Sequence, residues 1–466
     1  MFCDIAAKIA GNPPQLNYGV AVADIDRDGA FEIIVAGFGC PSQVLKWDGE
    51  ALFDIADADL ADPGRQSIGV AAADIDGDGR EEIYILNTDT FAGPKRFGDR
   101  LFQWHGGCWR DLFDLRENRG VRNITAGRSV ACIDRGGNGR YGFVVANYGG
   151  PFRLYEMAPG DRLADAAAEA EINGITGGRS LTCLPIVSDR MDIFAVNENG
   201  ANFLFRNDGV GRFDELALDL GLGDRQCHGR GVTALDANGD GLFDLAYGNW
   251  EGPHRLMIQG ADGTFRDGAP EDYALPSRVR TVIAADFDND GYEEIFFNNI
   301  GQPNRLFGWR HGDWRRIDIG AAAEPRGLGT GAAVADIDGD GVLELLVAHG
   351  EAGAQPLTLY KARPNNHGWL RVRPLTSSGA PARGAVVRCR VAGRTMIRAI
   401  DAGSGYLCQM EPVAHFGLGT ETSVESIEIR WPDGARLHIE NPATGGELPV
   451  SHPGTVGADG PPKRAR

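Results

Sequence analysis

Short apolar segments of strand length recur along the chain and are separated by turns rich in Asp and Gly. Each repeat contains a strand of small residues such as GVAVADID, an acidic turn, a second strand such as EIIVAG and two further short strands. The first aspartates of two adjacent intact repeats, Asp24 and Asp74, are 50 residues apart. Four strands per repeat are typical of a β-propeller blade, whereas a solenoid of the same units would expose its end strands.

The spacing of the repeats predicts seven blades. Five acidic turns are intact, and the stretch between Asp74 and Asp236 has room for two decayed repeats, at Asp134 and at 179–197. The opening Phe-Cys-Asp resembles the fourth strand of a blade, which the last repeat lacks. We therefore predict an all-β fold, with a seven-bladed β-propeller at 1–363 that is closed by the N-terminal strand. A small β domain at 364–450 and a disordered tail at 451–466 would follow.

The intact turns predict calcium sites. Oxygen ligands at positions 1, 3, 5 and 9 of a turn converge on one point, and Gly at position 6 permits a left-handed bend. Such ligands suit Ca²⁺, whereas Zn²⁺ prefers Cys and His; the alternative is an acidic turn without metal. We predict about five structural Ca²⁺ sites. Their ligands would be Asp24, Asp26, Asp28, Glu32, Asp74, Asp76, Asp78, Glu82, Asp236, Asn238, Asp240, Asp244, Asp286, Asp288, Asp290, Glu294, Asp336, Asp338, Asp340 and Glu344.

The charge balance narrows the choice of partners. The chain has a formal net charge of −19, which argues against nucleic acid, because a phosphate-binding face needs clustered Lys and Arg. No apolar run approaches the ~20 residues that span a bilayer, so no membrane partner is predicted. The sequence leaves open whether the chain binds a protein partner.

Aligning the repeats on their first Asp places arginines at one end of the channel. The residue six positions earlier is Arg in four consecutive repeats and differs in the other three: Tyr18, Ile68, Arg128, Arg179, Arg230, Arg280 and Thr330. Crowded arginines repel unless anions or carboxylates lie among them, so we predict an anionic small molecule at this mouth. The alternative is that they are solvated or paired with acids such as Asp189 or Asp224.

Several polar and aromatic residues are predicted to lie beside these arginines. The residue thirteen positions after the first Asp is an amide in most repeats, which adds Asn147, Asn197 and Asn249 as ligand-binding candidates, with Trp250 close by. If chemistry occurs, His228 is the candidate proton carrier, since its ordinary pKa is near neutrality. The sequence contains no HExxH, P-loop or GxSxG motif, so whether the chain is an enzyme stays open.

The motifs resemble a known family. The repeats are similar to FG-GAP/VCBS propellers, and the C-terminal motifs AGSGYLCQ and HFGLG resemble the ASPIC/UnbV domain. This combination is similar to the cartilage acidic protein family, with a bacterial UnbV-type member as the expected relative. The resemblance implies either an adhesion or scaffold protein, or a natural-product biosynthetic enzyme of the cyclase or isomerase class that uses the same channel mouth.

Compartment is predicted from the start of the chain and its cysteines. No basic and apolar leader precedes the first predicted strand at Phe2, and the eight cysteines form no CxxC pair. These features predict a cytoplasmic protein with free, buried thiols. The alternative is a secreted protein whose leader has been removed.

Overall fold

The computed structural model describes residues 1–455. The chain begins with β1 (Phe2–Asp4), and six consecutive four-stranded antiparallel units follow, the third and fourth of which are joined into one eight-stranded sheet by the pairing of Tyr148 with Gly177 and of Pro151 with Ile175. We number these units as blades one to six. Their strands are β2 (Asn17–Ala23), β3 (Glu32–Gly37), β4 (Gln43–Trp47), β5 (Leu52–Asp54), β6 (Ser67–Ala73), β7 (Glu82–Asn87), β8 (Arg100–His105), β9 (Cys108–Asp111), β10 (Gly127–Ile133), β11 (Gly142–Pro151), β12 (Arg153–Ala158), β13 (Arg162–Asp165), β14 (Ile175–Leu184), β15 (Asp192–Asn197), β16 (Phe203–Asn207), β17 (Phe213–Glu215), β18 (Gly229–Leu235), β19 (Asp244–Asn249), β20 (Arg255–Gln259), β21 (Phe265–Asp267), β22 (Val279–Ala285), β23 (Glu294–Asn299), β24 (Arg305–Arg310) and β25 (Asp313–Ile317).

The N-terminal strand completes the last four-stranded unit of the propeller. Blade seven contains β26 (Gly329–Ala335), β27 (Glu344–His349) and β28 (Thr358–Ala362), and β1 pairs with β28 so that Phe2 lies opposite Ala362. Each innermost strand lies beside the innermost strand of the next blade, and β26 lies beside β2, so the ring is closed. The predicted all-β propeller is confirmed. Helices are short: α1 (Ala58–Ala61), α2 (Glu271–Ala274) and single 3₁₀ turns at Ala6–Lys8, Leu112–Asp114 and Gly320–Ala323.

The C-terminal region forms two further sheets around its own apolar core. One sheet has the order β32-β29-β35, in which β29 and β35 are parallel, and the other has the order β31-β30-β33-β34. Their bounds are β29 (Gly368–Pro374), β30 (Val386–Val391), β31 (Arg394–Ala399), β32 (Ala414–Gly419), β33 (Ser426–Arg430), β34 (Arg436–Glu440) and β35 (Glu447–Val450). Leu370, Val387, Phe416 and Ile427 are fully buried between these sheets.

The segment 401–411, between β31 and β32, enters the channel of the propeller. Gln409 exchanges two hydrogen bonds with the backbone of Ala72, of 2.8 and 3.1 Å, through its side-chain amide. Gly405 pairs with Val232 on β18. The approach is so close that a Cβ at Gly19 would lie 2.2 Å from the Leu407 carbonyl oxygen. Only glycine fits at that position, and the propeller and C-terminal sheets are therefore joined through the channel.

The remaining expectations concern the tail, the membrane and the thiols. Only part of the predicted tail is described: residues 456–466 lie outside the described residues, and within 451–455 His452 Nε2 lies 2.9 Å from Asp433 Oδ2. Within residues 1–455, no helix is both long and apolar enough to cross a bilayer. All eight cysteines are free, and Cys132, Cys183, Cys389 and Cys408 are buried.

Candidate functional site

A β-bulge near the start of each innermost strand sets the position of the arginines. In β10, Gly127 pairs with Asn147 and Ser129 pairs with Ala146, so the ladder skips Arg128. The six other innermost strands have the same irregularity, which includes Tyr18, Ile68, Arg179, Arg230, Arg280 and Thr330. A bulge leaves a residue unpaired and re-aims its side chain. All of these residues except Thr330 line one cavity.

This cavity has a volume of about 570 Å³ and lies at the end of the channel where the innermost strands begin. The acidic turns follow the other ends of the same strands. Four of its lining residues, which we call the cavity arginines, come from blades three to six: Arg128, Arg179, Arg230 and Arg280. Each of the four is more than nine-tenths buried. The structure thus brings together the four arginines that the repeat alignment singled out.

Aromatic rings alternate with the guanidinium groups. The long loop between β7 and β8 brings Phe91 over two arginines, and Trp250 lies between two others, as predicted for it from the sequence. The ring-to-guanidinium distances are 5.4 Å for Phe91–Arg128, 5.2 Å for Phe91–Arg179, 4.6 Å for Tyr148–Arg179, 5.2 Å for Trp250–Arg230 and 4.9 Å for Trp250–Arg280. Stacking of this kind holds planar cations in place while their edges stay available for hydrogen bonds.

Carboxylates neutralise part of this charge. Glu198 accepts hydrogen bonds from Arg179 Nε at 2.7 Å and from Arg230 Nη2 at 2.6 Å. Glu351 accepts one from Arg280 Nη2 at 2.6 Å. Burial raises the pKa of Glu198, but the two guanidiniums outweigh burial and lower that pKa to about 2, so this carboxylate is charged at neutral pH. The arginines are therefore paired, but with different acids from those that the sequence suggested: Asp189 contacts Arg430, and Asp224 contacts Arg255.

A positive excess remains at the cavity. Four guanidiniums face three carboxylates on the lining, those of Glu198, Glu351 and Asp89, which leaves one unbalanced positive charge. Within the described residues Arg128 has no carboxylate partner, and its Nη2 donates to backbone carbonyl oxygens of Thr90 and Phe91. Among residues 1–455, no acceptor lies within hydrogen-bond distance of the buried Nε atoms of Arg128, Arg230 and Arg280. Unsatisfied buried donors are costly, so these groups favour an added acceptor.

Tyr406 closes the inner end of the cavity. It belongs to the segment that enters the channel from the C-terminal sheets, and its ring lies 5.6 Å from the Arg280 guanidinium. Burial raises the pKa of the Tyr406 hydroxyl, but the cavity arginines outweigh burial and lower it below its usual range. The site is therefore built from both parts of the chain. Repeat alignment could not identify Tyr406, since it lies outside every repeat; Tyr18 and Ile68 stood at the aligned position and could have been identified.

Three predicted ligand-binding amides lie outside the cavity lining. Each side-chain amide donates to the carbonyl oxygen four residues later, which closes the loop to the next strand: Asn147 to Pro151, Asn197 to Ala201 and Asn249 to Pro253. All three residues are buried. The positions of Asn147, Asn197 and Asn249 therefore do not support the ligand-binding role predicted for them, because their amide nitrogens bond within their own blades; among the described residues Asn249 Oδ1 has no hydrogen-bond partner.

His228, the predicted proton carrier, also lies outside the lining. It is exposed, and its Nδ1 lies 2.7 Å from the carbonyl oxygen of Glu198. Its side chain is therefore occupied at the rim and is not brought to the cavity interior with the arginines. A proton-transfer role inside the cavity does not follow from this position.

The acidic turns adopt a common geometry at the opposite face. Gly29, at position 6, has φ of 91°, and its N–H donates to Asp24 Oδ2 at 3.1 Å; the other intact turns repeat this bond. In four turns three carboxylates bring ligand oxygens within 4.8 Å of one another: Asp24, Asp26 and Glu32; Asp74, Asp76 and Asp78; Asp286, Asp288 and Asp290; Asp336, Asp338 and Glu344. In the remaining turn Asn238 Nδ2 donates to Asp240 Oδ2 at 2.9 Å.

The donor set fits a hard cation. In the part of the chain that the structure describes, one buried carboxylate oxygen each of Asp24, Asp288 and Asp336 has no hydrogen-bond partner and is therefore free to coordinate a cation. Protein cations also reach three turns: Lys46 Nζ lies 2.9 Å from Glu32, and Arg310 and Lys361 each contact three acids of their own turns. In the second turn the equivalent residue is neutral, and Gln103 donates to Asp76 at 2.6 Å.

The two decayed turns use their acids internally. Asp134 accepts the backbone N–H groups of Asn138 and Gly139, and Asp192 accepts those of Ile186, Val187 and Ser188. The turn at Asp134 has Gly136 and Asn138 at the positions where intact turns have acids, so it offers fewer carboxylates to a metal.

Comparison with known proteins matches both parts of the chain. The FG-GAP-like repeat family matches residues 24–85, 189–247, 236–297 and 286–347, and the ASPIC and UnbV family matches 375–456. Cartilage acidic protein 1 of Xenopus tropicalis is 50% identical over 462 residues, which cover 91% of this chain and 71% of that protein. The human protein of the same name is 49% identical over 473 residues and 93% of this chain, again with 71% of its own length covered. The chain belongs to the cartilage acidic protein family.

Solved structures add less. BBS1N, crystallised in complex with ARL6DN and soaked with mercury, aligns with a TM-score of 0.47 at 10% identity, over 78% of this chain and 98% of that chain. A SapL1 lectin in complex with alpha methyl fucoside aligns with a TM-score of 0.40 at 13% identity, over 65% of this chain and 96% of that one. These likenesses are too weak to support an argument. In this member of the cartilage acidic protein family, Arg230 and Arg280 lie in residues that the FG-GAP-like repeat family matches, Arg128 and Arg179 lie in blades outside those ranges, and Tyr406 lies in the ASPIC and UnbV match.

Proposed function

We propose that this protein is a binding propeller that holds a small anion among the cavity arginines, in a fold stabilised by Ca²⁺ in its acidic turns. The observation that carries the proposal is the set of buried guanidinium donors without acceptors beside an excess positive charge, in a chain of net charge −19. An anion placed there gains charge-assisted hydrogen bonds, and these are stronger than at an exposed surface because the arginines are buried from water.

The carboxylates of the cavity favour anion binding by holding the arginines in fixed positions. Glu198 and Glu351 hold three of the arginines in place, so little side-chain entropy is lost when a ligand arrives. Arg128 keeps no carboxylate partner within the described residues, and it is therefore the first candidate to contact the anion directly.

Calcium is proposed on the chemistry of the turns. Their ligands are oxygen atoms only, in flexible turns that bring three carboxylates within 4.8 Å of one another. When bound, Ca²⁺ would offset the repulsion between these acids and link the first two strands of a blade. Asp24, Asp74, Asp286 and Asp336 would hold it from the ends of the innermost strands.

The relatives bear on the compartment. They are named for cartilage, an extracellular tissue, and this supports the secreted alternative over the cytoplasmic one that the sequence suggested. Free thiols, of which four of eight are buried, are compatible with either setting.

The test is calorimetric titration of the full chain with inorganic sulfate at low ionic strength, with variants that change the cavity charge in opposite directions. Arg128→Gln removes one positive charge, and we expect sulfate affinity to fall about tenfold or more. Glu198→Gln removes one negative charge, and the affinity should rise. The matched control is Arg305→Gln: Arg305 is equally buried and donates to Leu275 O and Ser277 Oγ, but it lies outside the cavity.

Because Arg128→Gln should weaken sulfate binding and Glu198→Gln should strengthen it, unfolding of a variant cannot account for both results. No sulfate binding by the wild-type chain, or equal loss in the Arg128 and Arg305 variants, would contradict the anion site.

A further inference from the structure

The cavity has two chemically different halves. The cavity arginines occupy the side formed by blades three to six. On the other side, formed by blades one and two, Tyr18, Phe38 and Ile68 supply apolar surface, and the neighbouring Gln66, Thr88, Asp89 and Thr90 of blade two supply polar groups. Because the same bulge position carries arginine in one arc and an apolar or aromatic residue in the other, the contrast follows directly from the repeat register.

The three apolar residues of this side share one core. The rings of Tyr18 and Phe38 lie 5.3 Å apart, and both residues are partly buried against the core that contains Ile68, Tyr406 and Leu407. The Tyr18 hydroxyl lies 3.3 Å from Glu351, which directs its polar end toward the arginine side. The faces that these three side chains present to the cavity are hydrocarbon and aromatic, so water in contact with them is released at a gain when an apolar group takes its place.

We propose that the ligand is an organic anion with an apolar body, whose acid group lies against the cavity arginines and whose body lies against Tyr18, Phe38 and Ile68. This inference rests on the anion site proposed above and extends it to the class of ligand. A cavity of about 570 Å³ is the size of a small-molecule site, and its mixture of apolar wall and few charged groups is typical of such sites. An inorganic ion would leave the apolar half unused.

The test compares carboxylates that share one charge and differ in apolar length. The full chain is titrated with acetate, butyrate and hexanoate, and we expect affinity to rise about fourfold for each CH₂ that becomes buried. Hexylamine, with a similar body and the opposite charge, should not bind. Arg128→Gln should weaken all three carboxylates by a similar factor, since it acts on the shared acid group.

A variant of the wall isolates the apolar contribution. Phe38→Ala should lower hexanoate affinity while leaving acetate and sulfate affinity unchanged, and Ile68→Thr should act in the same direction. Phe53→Ala is the control, because Phe53 is an aromatic residue that is 44% exposed and lies outside the cavity. Its hexanoate affinity should equal that of the wild type.

The outcomes separate the two proposals. If acetate and hexanoate bind equally, or hexylamine binds as well as hexanoate, the organic-anion inference is overturned while sulfate binding still supports an anion site. If hexanoate binds more tightly than acetate in the wild type and in the Phe53 variant, but not in the Phe38 variant, the inference stands. If neither sulfate nor any carboxylate binds, both proposals fail.

Discussion

At the scale of single residues, several blades share a hydrogen bond in which a buried side chain accepts the backbone N–H at the end of the second strand. Asn202 and Asn304 accept the N–H of the residue that ends the second strand, at 3.0 and 2.8 Å. In blade five this acceptor is His254, whose Nδ1 accepts the N–H of Asn249 at 3.1 Å. Burial, with a smaller contribution from Arg305, lowers the pKa of His254 to about 3, so this histidine is neutral in the folded protein.

The neutral His254 predicts acid sensitivity. The unfolded chain binds a proton at this histidine below pH 6.5, whereas the folded chain does so only near pH 3, so stability falls as pH drops through that window. His254→Asn supplies the acceptor that neighbouring blades use and removes the titration. Urea unfolding of both chains between pH 6 and pH 4 should differ in slope by about 1.4 kcal/mol per pH unit. Parallel curves would show that His254 does not titrate as proposed.

At the scale of elements, the acidic turns fall into groups according to what the third strand presents to them. Lys46 on β4 contacts three carboxylates of the first turn, at 2.5, 2.7 and 2.9 Å. Gln103 on β8 is its neutral counterpart in the second turn. A protein cation and a metal ion compete for the same oxygens, so these two turns should differ in calcium affinity although their acids are alike.

We expect Lys46→Gln and Gln103→Lys to have opposite effects on stability in EDTA and on calcium affinity. Lys46→Gln should lower the melting temperature in EDTA, because the acids lose their cation, and should strengthen Ca²⁺ binding to the first turn about tenfold. Gln103→Lys should do the reverse in the second turn. The measurements are melting curves across a Ca²⁺ titration, analysed as ligand-linked stabilisation. Asp262→Asn is the control, because Asp262 lies in an exposed turn between β20 and β21, outside the five intact acidic turns. A wild-type melting temperature that is the same with and without EDTA would refute structural calcium.

The same elements explain which features could be predicted. The acidic turns and the arginine arc followed from the repeat, because every blade has the same bulge and the five intact turns lie at a fixed offset from it. The positions of the amides outside the cavity lining could not be predicted in this way, because the offset fixes where a residue lies and not which partner its side chain takes: Asn147 donates to Pro151 within its own loop. Glu198 and Tyr406 could not be predicted, since their contacts depend on distant segments brought together by folding.

At the scale of the whole molecule, the C-terminal sheets are joined to the propeller by a buried ion pair as well as by the inserted segment. Arg383 is fully buried, and its Nε lies 2.6 Å from Glu81 Oε1 in blade two. Its Nη2 donates to the carbonyl oxygen of Val22, and its Nη1 donates to that of Asp401 at the start of the inserted segment, each at 2.9 Å. One side chain thus connects two blades to the segment that carries Tyr406.

This connection predicts that both parts unfold together. Because the inserted segment pairs with β2 and β18 inside the channel, the propeller cannot open without releasing it, and calorimetry of the full chain should give a single transition. Arg383→Met should lower the stability of that transition by about 3–5 kcal/mol, since it leaves Glu81 buried without its partner. In the double variant, Glu81→Gln also removes the uncompensated charge, so much of the lost stability should be recovered. If the double variant instead loses the sum of the two single-variant losses, the two residues are not coupled. Two separate transitions, of which the Arg383 variant moves only one, would mean that the C-terminal sheets fold independently and that Tyr406 is not held in the channel by the ion pair.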